Sequence, residues 1–262
     1  MKTIILAAGY ATRLYPLTLT KPKPLLQVAH KPMLERVLEK LALAKDDEVI
    51  IVTNEKFRGN FERFADSYKR IHGISLKVLN DGSSSDENKL GAIGDLHLAI
   101  EKENIAEDIL VIAGDNLFSE SLAPFREYAV RKNAPVLAVY DIGSIEATKK
   151  FNAISVNEES VITFFEEKPS RPQSSLMGIA LYYYPKNIVP LIKTYIQEGN
   201  NADQPGRFIQ WLYKKMPVYT WRVPGIWFDI GSKETLDEAN QAFAEIALEK
   251  KGAHVPELEY EV

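Results

Sequence analysis

The sequence predicts a mixed α/β protein, and three observations lead to this prediction. Short runs of apolar and β-branched residues, typical of strands buried on both faces, recur through the first half of the chain. Between them lie segments with apolar residues at helical spacing. Strands that alternate with helices are joined by right-handed crossovers, so the sheet is expected to be mainly parallel and flanked by helices. After about residue 150 the pattern becomes richer in strands.

The first half of the chain alternates strands and helices in order. The predicted strands are 2–8, 48–53, 74–79, 108–114 and 134–142. The predicted helices are 32–45, 56–70, 90–100 and 121–132. The first helix illustrates the pattern, because Pro32 stands at a first-turn position and an apolar stripe runs from Met33 to Leu41.

The second half begins with a predicted hairpin. Two short alternating runs within 152–169 flank the polar turn residues 157–160. The further predicted elements are a strand at 177–184, helices at 186–197 and 203–215, strands at 218–223 and 226–231, and a closing helix at 233–250. Ser232 is the predicted N-cap of that last helix.

Composition excludes several classes of protein. No linker, repeat or low-complexity tract interrupts the 262 residues, so we predict one domain, 1–262, with a soft boundary between its halves near residue 150. The absence of cysteine excludes disulfides, thiolate catalysis and cysteine-ligated metals. A net charge of −4 gives no overall attraction to nucleic acid. Neither a membrane span nor a secretory signal is predicted, so the expected location is cytoplasmic.

The loop after the first strand, "LAAGYATRLYPLTLTKPKPLL", suits an anion. Gly9 lets the backbone approach a ligand closely, Arg13 offers a planar donor fork, and Lys23 offers a mobile positive charge. In open α/β sheets, ligands bind at this end of the strands. The loop is neither a Walker P-loop nor a dinucleotide fingerprint. Taken alone, it also fits a turn of small residues with solvated cations.

The same stretch, continued through "QVAHKPMLERVL", closely resembles the opening signature of the sugar-1-phosphate nucleotidylyltransferases. The resemblance covers about 30 contiguous positions and is far more specific than a lone glycine motif. It implies a Rossmann-like sheet of the nucleotide-diphospho-sugar transferase type, with a nucleotide-binding half, 1–150, and a sugar-phosphate-binding half, 151–262. Ala11 departs from the family, which usually has Gly there.

Two acidic residues belong to motifs at predicted strands, Asp115 directly after the strand 108–114 and Asp229 within the strand 226–231. Asp115, in "VIAGDNLF", is well placed to hold a hard cation through oxygen, although a loop-capping role fits it equally well when it is taken alone. The resemblance implies that Asp115 is a Mg²⁺ ligand. It also implies that Asp229, in "GIWFDIGSKETLDEAN", is the second carboxylate on the same ion. Trp221 and Trp227 are predicted to be core residues.

A charged cluster ends the predicted hairpin in "FFEEKPSRP". Such a cluster alone is usually a solvated face. The resemblance implies that Lys168 binds the sugar phosphate, that Glu167 binds sugar hydroxyls, and that Gly178 of "SLMGIALYYY" lies beside the sugar. Asn116 is a further predicted substrate contact.

The region expected to read the base matches the family least. "NDGSSSDENKLGAIGD" has the family's Leu-Gly-Ala ending, with Gly91, but no Gln before it, so Asn80, Asp81 or Asn88 is the candidate contact to a base edge. A mobile surface loop is the alternative for this segment. Asn152 stands where relatives often carry Gly. The histidines, predicted to be structural or at the surface, are His30, His72, His97 and His254.

The resemblance implies Mg²⁺-dependent transfer of a nucleotidyl group from an NTP to a sugar 1-phosphate, by in-line attack on the α-phosphorus. The implied catalytic residues are Arg13, Lys23, Asp115, Lys168 and Asp229. The implied nucleotide contacts are Leu6, Ala8, Gly9, Arg13, Lys23, Asn80, Gly91 and Asp115. The nucleophile is an ionised phosphate, so no general base is required. Such catalysis works through positioning and charge neutralisation.

Two alternatives stay open. A cytidylyltransferase acting on a phospho-alcohol such as phosphocholine shares the opening signature. A non-catalytic nucleotide-sugar-binding subunit would share the fold, but it has little need of both metal carboxylates. The overall resemblance favours glucose 1-phosphate with dTTP or UTP. No hexapeptide-repeat β-helix occurs in the sequence, so no acetyltransferase activity is expected, and a homo-oligomer is neither indicated nor excluded.

Overall fold

The structure, a computed structural model, describes residues 1–250. His254 and the end of the predicted domain lie outside the described residues. The strands are β1 (Lys2–Leu6), β2 (Gln27–Val28), β3 (Lys31–Pro32), β4 (Val49–Thr53), β5 (Leu76–Asn80), β6 (Ile109–Ala113), β7 (Asn116–Phe118), β8 (Val136–Asp141), β9 (Asn152–Val156), β10 (Ile162–Glu167), β11 (Leu176–Tyr184), β12 (Tyr219–Arg222) and β13 (Trp227–Asp229).

The helices alternate with these strands in the first half, as predicted. They are α1 (Met33–Lys40), α2 (Arg58–His72), α3 (Ala92–Lys102), α4 (Ala123–Lys132), α5 (Val189–Gln197), α6 (Pro205–Leu212) and α7 (Lys233–Lys250). The fold is the predicted mixed α/β class, with a mostly parallel central sheet and helices beside it. Among the helices of residues 1–250, none is both long enough and apolar enough to cross a membrane.

Two compact units make up the chain, and each is assembled from separate segments. Unit 1 comprises Met1–Ile4, Leu90–Ile112 and Ala123–Val223, and unit 2 comprises Ile5–Lys89, Ala113–Leu122 and Pro224–Val262. The units therefore do not correspond to the two halves of the chain divided near residue 150. The single nucleotidyltransferase domain stays a prediction.

Unit 2 contains the end of β1 with β4 and β5, the latter two paired in parallel. Its helices are α1, α2 and α7, and two short antiparallel pairs, β2–β3 and β7–β13, complete it. An apolar cluster that includes Met33, Leu117 and Phe243 is buried beneath these pairs. Burial of side chains of this size, at about 1.5–3 kcal/mol each, holds the short strands in place.

Unit 1 contains the strand order β12-β8-β11-β6 and the separate hairpin β9–β10. Strand β11 is antiparallel to both of its neighbours, while β12 is parallel to β8. The predicted hairpin turn is confirmed, because Asn157 N–H donates to the Val161 carbonyl at 3.0 Å. Tyr184 and Tyr195 pack edge-on against Phe208, with ring centroids 5.4 Å apart in both pairs, so aromatic contacts bind α5 and α6 to β11.

The first helix is shorter than predicted. It ends at Lys40, not at residue 45, and Ala42 has a left-handed backbone with φ 50°. The carbonyl of Lys40 accepts a hydrogen bond from the Leu122 N–H at 2.7 Å. A contact distant in sequence thus ends a helix that the apolar pattern alone would continue.

The closing helix begins as predicted. Thr235 N–H donates to the Ser232 hydroxyl at 3.3 Å, and Ser232 N–H donates to the Thr235 hydroxyl at 3.0 Å. The two side chains therefore cap each other's backbone in a reciprocal box, which satisfies two donors at the helix start.

Candidate active site

The loop after β1 is fixed from the adjacent strand. The side-chain amide of Asn54, fully buried at the end of β4, donates to the Ala8 carbonyl at 2.8 Å and accepts from Phe57 N–H at 3.0 Å. Gly9 is exposed, and nothing lies within 4 Å of the position that a Cβ would take. The loop therefore presents an open backbone edge, as the prediction of close ligand approach requires.

Ala11 has a left-handed backbone, with φ 48° and ψ 44°. Its carbonyl accepts hydrogen bonds from the Thr18 hydroxyl at 2.8 Å and from Leu14 N–H at 3.0 Å. This is a conformation that glycine adopts without cost, whereas an L-residue pays roughly 1–2 kcal/mol for it. The departure from the family's glycine therefore places backbone strain in the loop.

Ala11→Gly is expected to raise the free energy of unfolding by about 0.5–1 kcal/mol, since the relief of strain exceeds the extra chain entropy of glycine. Urea denaturation measures the change. Ala244→Gly, at an exposed position within α7, is the matched control and is expected to lower stability by about 1 kcal/mol. Equal destabilisation by both substitutions would contradict a left-handed Ala11.

The two predicted metal carboxylates come together in unit 2. Strand β13 pairs antiparallel with β7, and the register places Asp229 directly opposite Asn116, the neighbour of Asp115. The pair is also joined by a hydrogen bond from the Trp227 indole N–H to the Asn116 side-chain oxygen, at 2.9 Å. A strand pairing distant in sequence thus brings Asp115 and Asp229 to one place.

Lys23 bridges these carboxylates. Its ammonium nitrogen lies 2.6 Å from an oxygen of Asp115 and 3.8 Å from an oxygen of Asp229. Burial by itself lowers the pKa of Lys23, but the two carboxylates outweigh it and raise that pKa. Lys23 is therefore a fixed positive charge.

The pKa values of the two carboxyl groups move in opposite directions. Burial raises the pKa of Asp229 to about 6, and the neighbouring charge of Asp115 adds to the effect. Burial also acts to raise the pKa of Asp115, but the charge and hydrogen bond of Lys23, with a hydrogen bond from Asn116, lower it overall. Two carboxylates so close together favour a cation between them.

Arg13 borders a cleft in unit 2 of about 360 Å³. It stands on a single 3₁₀ turn, Thr12–Leu14, with its side chain exposed, and its charge acts on both Lys23 and Asp229. The residues lining the cleft are Ala11, Thr12, Arg13, Leu14, Lys23, Asp115, Asp229, Ile230 and Gly231. Four of the five predicted catalytic residues thus surround one cleft.

The donor atoms in this cleft fit Mg²⁺. Mg²⁺ takes oxygen ligands, is commonly held by one or two carboxylates, and keeps water in its other positions. Asp115 and Asp229 both lie within 4 Å of one cationic nitrogen, so the arrangement already accommodates positive charge between them. Within residues 1–250 no group of three or more His, Cys, Asp or Glu side chains could hold a metal ion. That Asp115 and Asp229 bind Mg²⁺ stays a prediction.

The side chain of Asn116 is engaged within the protein. It is buried, its side-chain oxygen accepts from Trp227, and its amide donates to Asp115 at 3.2 Å. Asn116 therefore orients Asp115, while its contact to a substrate stays a prediction. Trp227 is half-buried and acts through this hydrogen bond as well as by packing.

The candidate base-reading loop is ordered by its own side chains. Asn80 donates to Glu55 and accepts from Gly82 N–H at 2.9 Å. Asp81 accepts from both the backbone N–H and the hydroxyl of Ser83, at 2.7 and 2.8 Å. The side-chain oxygen of Asn88 accepts from two backbone N–H groups, those of residues 84 and 85. All three candidate side chains thus make hydrogen bonds inside the loop, and their role in base recognition stays a prediction.

Gly91 packs tightly within unit 1. A Cβ on Gly91, where φ is +79°, would lie 2.6 Å from the Asp203 Cα and 2.7 Å from the Ala202 carbonyl oxygen. The first N–H groups of α3 donate to these same residues, from Ala92 to Asp203 at 3.2 Å and from Ile93 to Ala202 at 2.8 Å. Packing alone therefore requires glycine here, and the predicted nucleotide contact stays untested.

The predicted sugar-phosphate residues lie at the end of β10 in unit 1. Lys168 is exposed and has a left-handed backbone, φ 50°, fixed by a 2.7 Å hydrogen bond from its N–H to the Phe151 carbonyl. The N–H of Glu167 donates to the side-chain oxygen of Gln210 at 3.2 Å, and one carboxylate oxygen of Glu167 is buried without a hydrogen-bond partner. A strained backbone and an unsatisfied buried oxygen are both typical of functional sites.

Gly178 is held by Asn152. The side chain of Asn152 donates to the Gly178 carbonyl at 3.0 Å and accepts from its N–H at 2.6 Å. A Cβ on Gly178 would lie 2.7 Å from a methyl group of Leu137. The glycine is thus required by packing, and its place beside a sugar stays a prediction.

Among the predicted sugar-binding residues, Glu167 is the one whose pKa makes the stability of the protein depend on pH. Burial raises its pKa to about 6 from the ordinary 4.5, against the opposing charges of Arg207 and Lys168. The folded state therefore binds the proton more tightly than the unfolded state does. The contribution of the Glu167 carboxyl group to the free energy of unfolding is fully present below pH 4.5, its unfolded pKa. It is lost as the pH rises through the folded pKa of about 6.

Glu167→Gln is accordingly expected to gain stability over the native chain as the pH rises from 4.5 to 7.5. The gain at the higher pH is at most about 2 kcal/mol, with solvent screening reducing it. Denaturation at both pH values measures the difference, and Glu158→Gln, an exposed position of the hairpin turn, is the control. A difference between native chain and variant that does not change with pH would contradict the raised pKa.

Four residues of these groups carry no motif that the sequence analysis used. Asn54 follows a buried strand, and the other three belong to α6 and act on Glu167. Gln210 accepts from its N–H, Arg207 opposes the rise of its pKa, and Gly206 leaves it space, because a Cβ there would lie 2.3 Å from the Oε2 atom. Of these four, only Gly206 could have been noticed in the sequence. Glycine within a predicted helix lowers its stability, which indicates that close packing requires the glycine.

Comparisons with known proteins identify the family of the chain. The family model described as nucleotidyl transferase matches residues 2–246. The bifunctional protein GlmU of Methanocaldococcus jannaschii is 31% identical over 242 residues, which are 92% of this chain and 54% of that protein. The glucose-1-phosphate thymidylyltransferase of Neisseria meningitidis is 27% identical over 265 residues, which cover 99% of this chain and 88% of that protein.

A solved structure shares the fold. UDP-glucose pyrophosphorylase complexed with UDP-glucose superimposes with a TM-score of 0.77 at 23% identity, covering 93% of this chain and 98% of the other. The chain spans about half the length of the GlmU relatives that it matches. The family match covers nearly all of the described residues, and the chain belongs to the nucleotidyl transferase family.

Proposed function

We propose that the chain transfers a nucleotidyl group from an NTP to a sugar 1-phosphate, giving an NDP-sugar and pyrophosphate. The observation that carries this proposal is the meeting of Asp115 and Asp229 at Lys23, next to Arg13, in one cleft of unit 2. Such a site can neutralise a triphosphate. The attacking group of a sugar 1-phosphate is an ionised phosphate oxygen, which needs no general base.

Each residue has a definite part in this proposal. Arg13 and Lys23 bind the oxygens of the triphosphate, and the open backbone at Gly9 admits the nucleotide. Asp115 and Asp229 would hold Mg²⁺, which when bound neutralises charge on the α-phosphate. In unit 1, Lys168 binds the sugar phosphate and Glu167 accepts hydrogen bonds from the sugar. Fixed charges that replace water supply most of the catalysis expected here.

The base and the sugar are a finer part of the proposal. Relatives bear names that include glucose-1-phosphate thymidylyltransferase and mannose-1-phosphate guanyltransferase, so family membership does not choose between substrates. We take glucose 1-phosphate with dTTP or UTP as the first pair to test. Since NTPs and sugar phosphates are cytoplasmic metabolites, a cytoplasmic location belongs to the same proposal.

The test is a matrix of five NTPs against a panel of sugar 1-phosphates and phospho-alcohols, with Mg²⁺, scored by release of pyrophosphate. We expect turnover with at least one sugar 1-phosphate and none with phosphocholine. Turnover with phosphocholine alone would replace the proposal with the cytidylyltransferase alternative. No pyrophosphate from any pair would favour a nucleotide-sugar-binding subunit without catalysis.

A further inference from the structure

A groove beside helix α6 is lined by three cations and, within residues 1–250, by no carboxylate. This α6 groove has a volume of about 520 Å³ and lies within unit 1. Its cations are Arg207, in the first turn of the helix, and Lys214 and Lys215, just after the helix ends. The other lining residues are Tyr195, Asn200, Asn201, Gln210 and Trp211. The predicted sugar-binding residues at the end of β10 do not line it.

The amide side chains of the α6 groove mostly offer donors. The side-chain oxygen of Gln210 accepts from the Glu167 N–H at 3.2 Å. That of Asn201 accepts from the Asp203 N–H at 2.8 Å, and the amide nitrogens of both side chains have no partner among residues 1–250. Asn200 is the exception, since its amide nitrogen donates to a backbone carbonyl at 2.9 Å and its oxygen is left over. A ligand of this groove must therefore accept several hydrogen bonds.

Two of the cations are also available to a ligand. Nε of Arg207 donates to the Gln204 side-chain oxygen at 2.8 Å, while the terminal guanidinium nitrogens have no partner in the described part of the chain. Lys214 is exposed and forms no ion pair with residues 1–250. Lys215 differs, because its ammonium lies 4.4 Å from the centre of the Trp211 ring. The groove thus offers one oriented and one mobile positive charge.

Helix stability does not explain the position of Arg207. The residue follows the N-cap and Pro205 in the first turn of α6, and that turn contains no acidic residue. A positive charge at this end opposes the helix dipole and weakens the helix. Lys214 and Lys215 lie at the other end, where positive charge is favourable, so they alone would indicate only a stabilised helix end. The cation at the N-terminal end is the one that favours a ligand.

We propose that the α6 groove binds the phosphate group of a small ligand. A phosphate monoester carries a charge of about −1.5 to −2 at pH 7 and three strong acceptor oxygens. These match several donors and cations better than the two oxygens and single charge of a carboxylate do. Arg207 supplies a planar donor fork, Lys214 a mobile charge and Gln210 a neutral donor. The site goes beyond the proposed nucleotidyl transfer and does not depend on it.

Trp211 provides a signal from within the groove. The chain has three tryptophans, so labelling with 5-fluorotryptophan gives three ¹⁹F NMR signals, which Trp211→Phe and Trp221→Phe assign. Potassium phosphate is titrated into the whole chain without divalent cations, with potassium chloride keeping the ionic strength constant. We expect a saturable shift of the Trp211 signal, with a Kd of about 1 mM or below.

Substitution of the two available cations should weaken this binding. Arg207→Gln is expected to raise Kd about 10- to 100-fold, as for loss of a hydrogen bond to a charged group. Lys214→Gln removes an exposed charge and should raise Kd about three- to fivefold, with Tm unchanged. Lys186→Gln is the matched control, because Lys186 is exposed in unit 1 but does not line the groove. It should keep the native Kd.

Gln210→Glu tests the donor argument. Glutamate keeps an oxygen for the Glu167 N–H and replaces the unpartnered amide nitrogen with a negatively charged oxygen. Kd for phosphate should therefore rise more than about tenfold. Thermal unfolding checks that the variants fold, and Lys214→Gln, at an exposed position, decides the question if Arg207→Gln or Gln210→Glu does not.

A second titration, with UDP, separates two sources of the phosphate group. Tighter binding of UDP than of phosphate identifies an organic phosphate as the ligand, and equal or weaker binding identifies the inorganic ion; either result supports the site. A Trp211 signal that does not saturate with phosphate would overturn the proposal. So would a Kd that Lys214→Gln and Lys186→Gln change equally, because the shift would then report only the overall charge of the chain.

Discussion

Asp115→Asn is expected to lower the rate of pyrophosphate release by about 10²–10³-fold, as for removal of one preorganised group that stabilises the transition state. Asparagine keeps the shape of the side chain and removes its charge. Lys23, 2.6 Å from Asp115 and 3.8 Å from Asp229, then loses the nearer of these two carboxylates. The divalent cation that we propose for this cleft would lose one of its two carboxylate ligands. The loss should appear in kcat and in the Mg²⁺ concentration needed for half-maximal rate.

The double substitution sharpens this prediction. If Asp115 and Asp229 hold the same cation, removing both should cost about as much as removing one, because residues that act as a unit are not additive. Asp66→Asn, at an exposed position on α2, is the control for loss of one negative charge. A rate near that of the native chain in Asp115→Asn, or effects of the two substitutions that multiply, would contradict a shared ion.

The element order was predictable because it rests on local patterns. Buried apolar runs marked the main strands, and the Ser232 cap marked the start of α7. Strand β13 falls within the predicted strand 226–231, but β2, β3 and β7 were not predicted, since strands of two or three residues carry no periodicity, and the pairing of β7 with β13 was not predicted either. Their stability comes from packing against residues distant in sequence, which no local window contains.

In the candidate site, too, residues marked by a motif were predictable and contacts distant in sequence were not. Family motifs indicated Asp115 and Asp229, but only the pairing of β7 with β13 brings them together. The contributions of α6 to Glu167 were missed because Gly206 and Gln210 act through geometry and belong to no motif. The base-reading candidates were chosen by residue type. In the structure these side chains bond the backbone of their own loop instead, because Asn and Asp in loops readily accept hydrogen bonds from nearby backbone N–H groups.

Lys168 is predicted to bind the sugar phosphate, and its left-handed backbone lowers the stability of the fold. Its φ of 50° places a long side chain in the left-handed region, one residue before Pro169, where helical conformations are further disfavoured. Strain of this kind persists only where the surrounding structure imposes it, and here the hydrogen bond to the Phe151 carbonyl does so. Selection for stability alone would favour glycine at this position.

Lys168→Gly is therefore expected to change stability and activity in opposite directions. Relief of the left-handed backbone should raise the free energy of unfolding by about 1 kcal/mol. Loss of the charge proposed to bind the sugar phosphate should lower kcat/KM for the sugar 1-phosphate by about 10²–10³-fold. Lys168→Ala should show the same loss of activity without the gain in stability, because alanine keeps the strain.

The control for strain alone is Ser160→Gly in the hairpin turn, where φ is 62°. It should gain similar stability and keep full activity, since nothing places Ser160 near a predicted substrate. Denaturant unfolding and pyrophosphate release, measured on all three variants, separate the two effects. If Lys168→Gly kept native kcat/KM, Lys168 would be only a strained surface residue, and the sugar phosphate would need another cation. If it lost activity and stability together, the loss of activity would no longer identify a binding charge, because a disturbed fold would account for both.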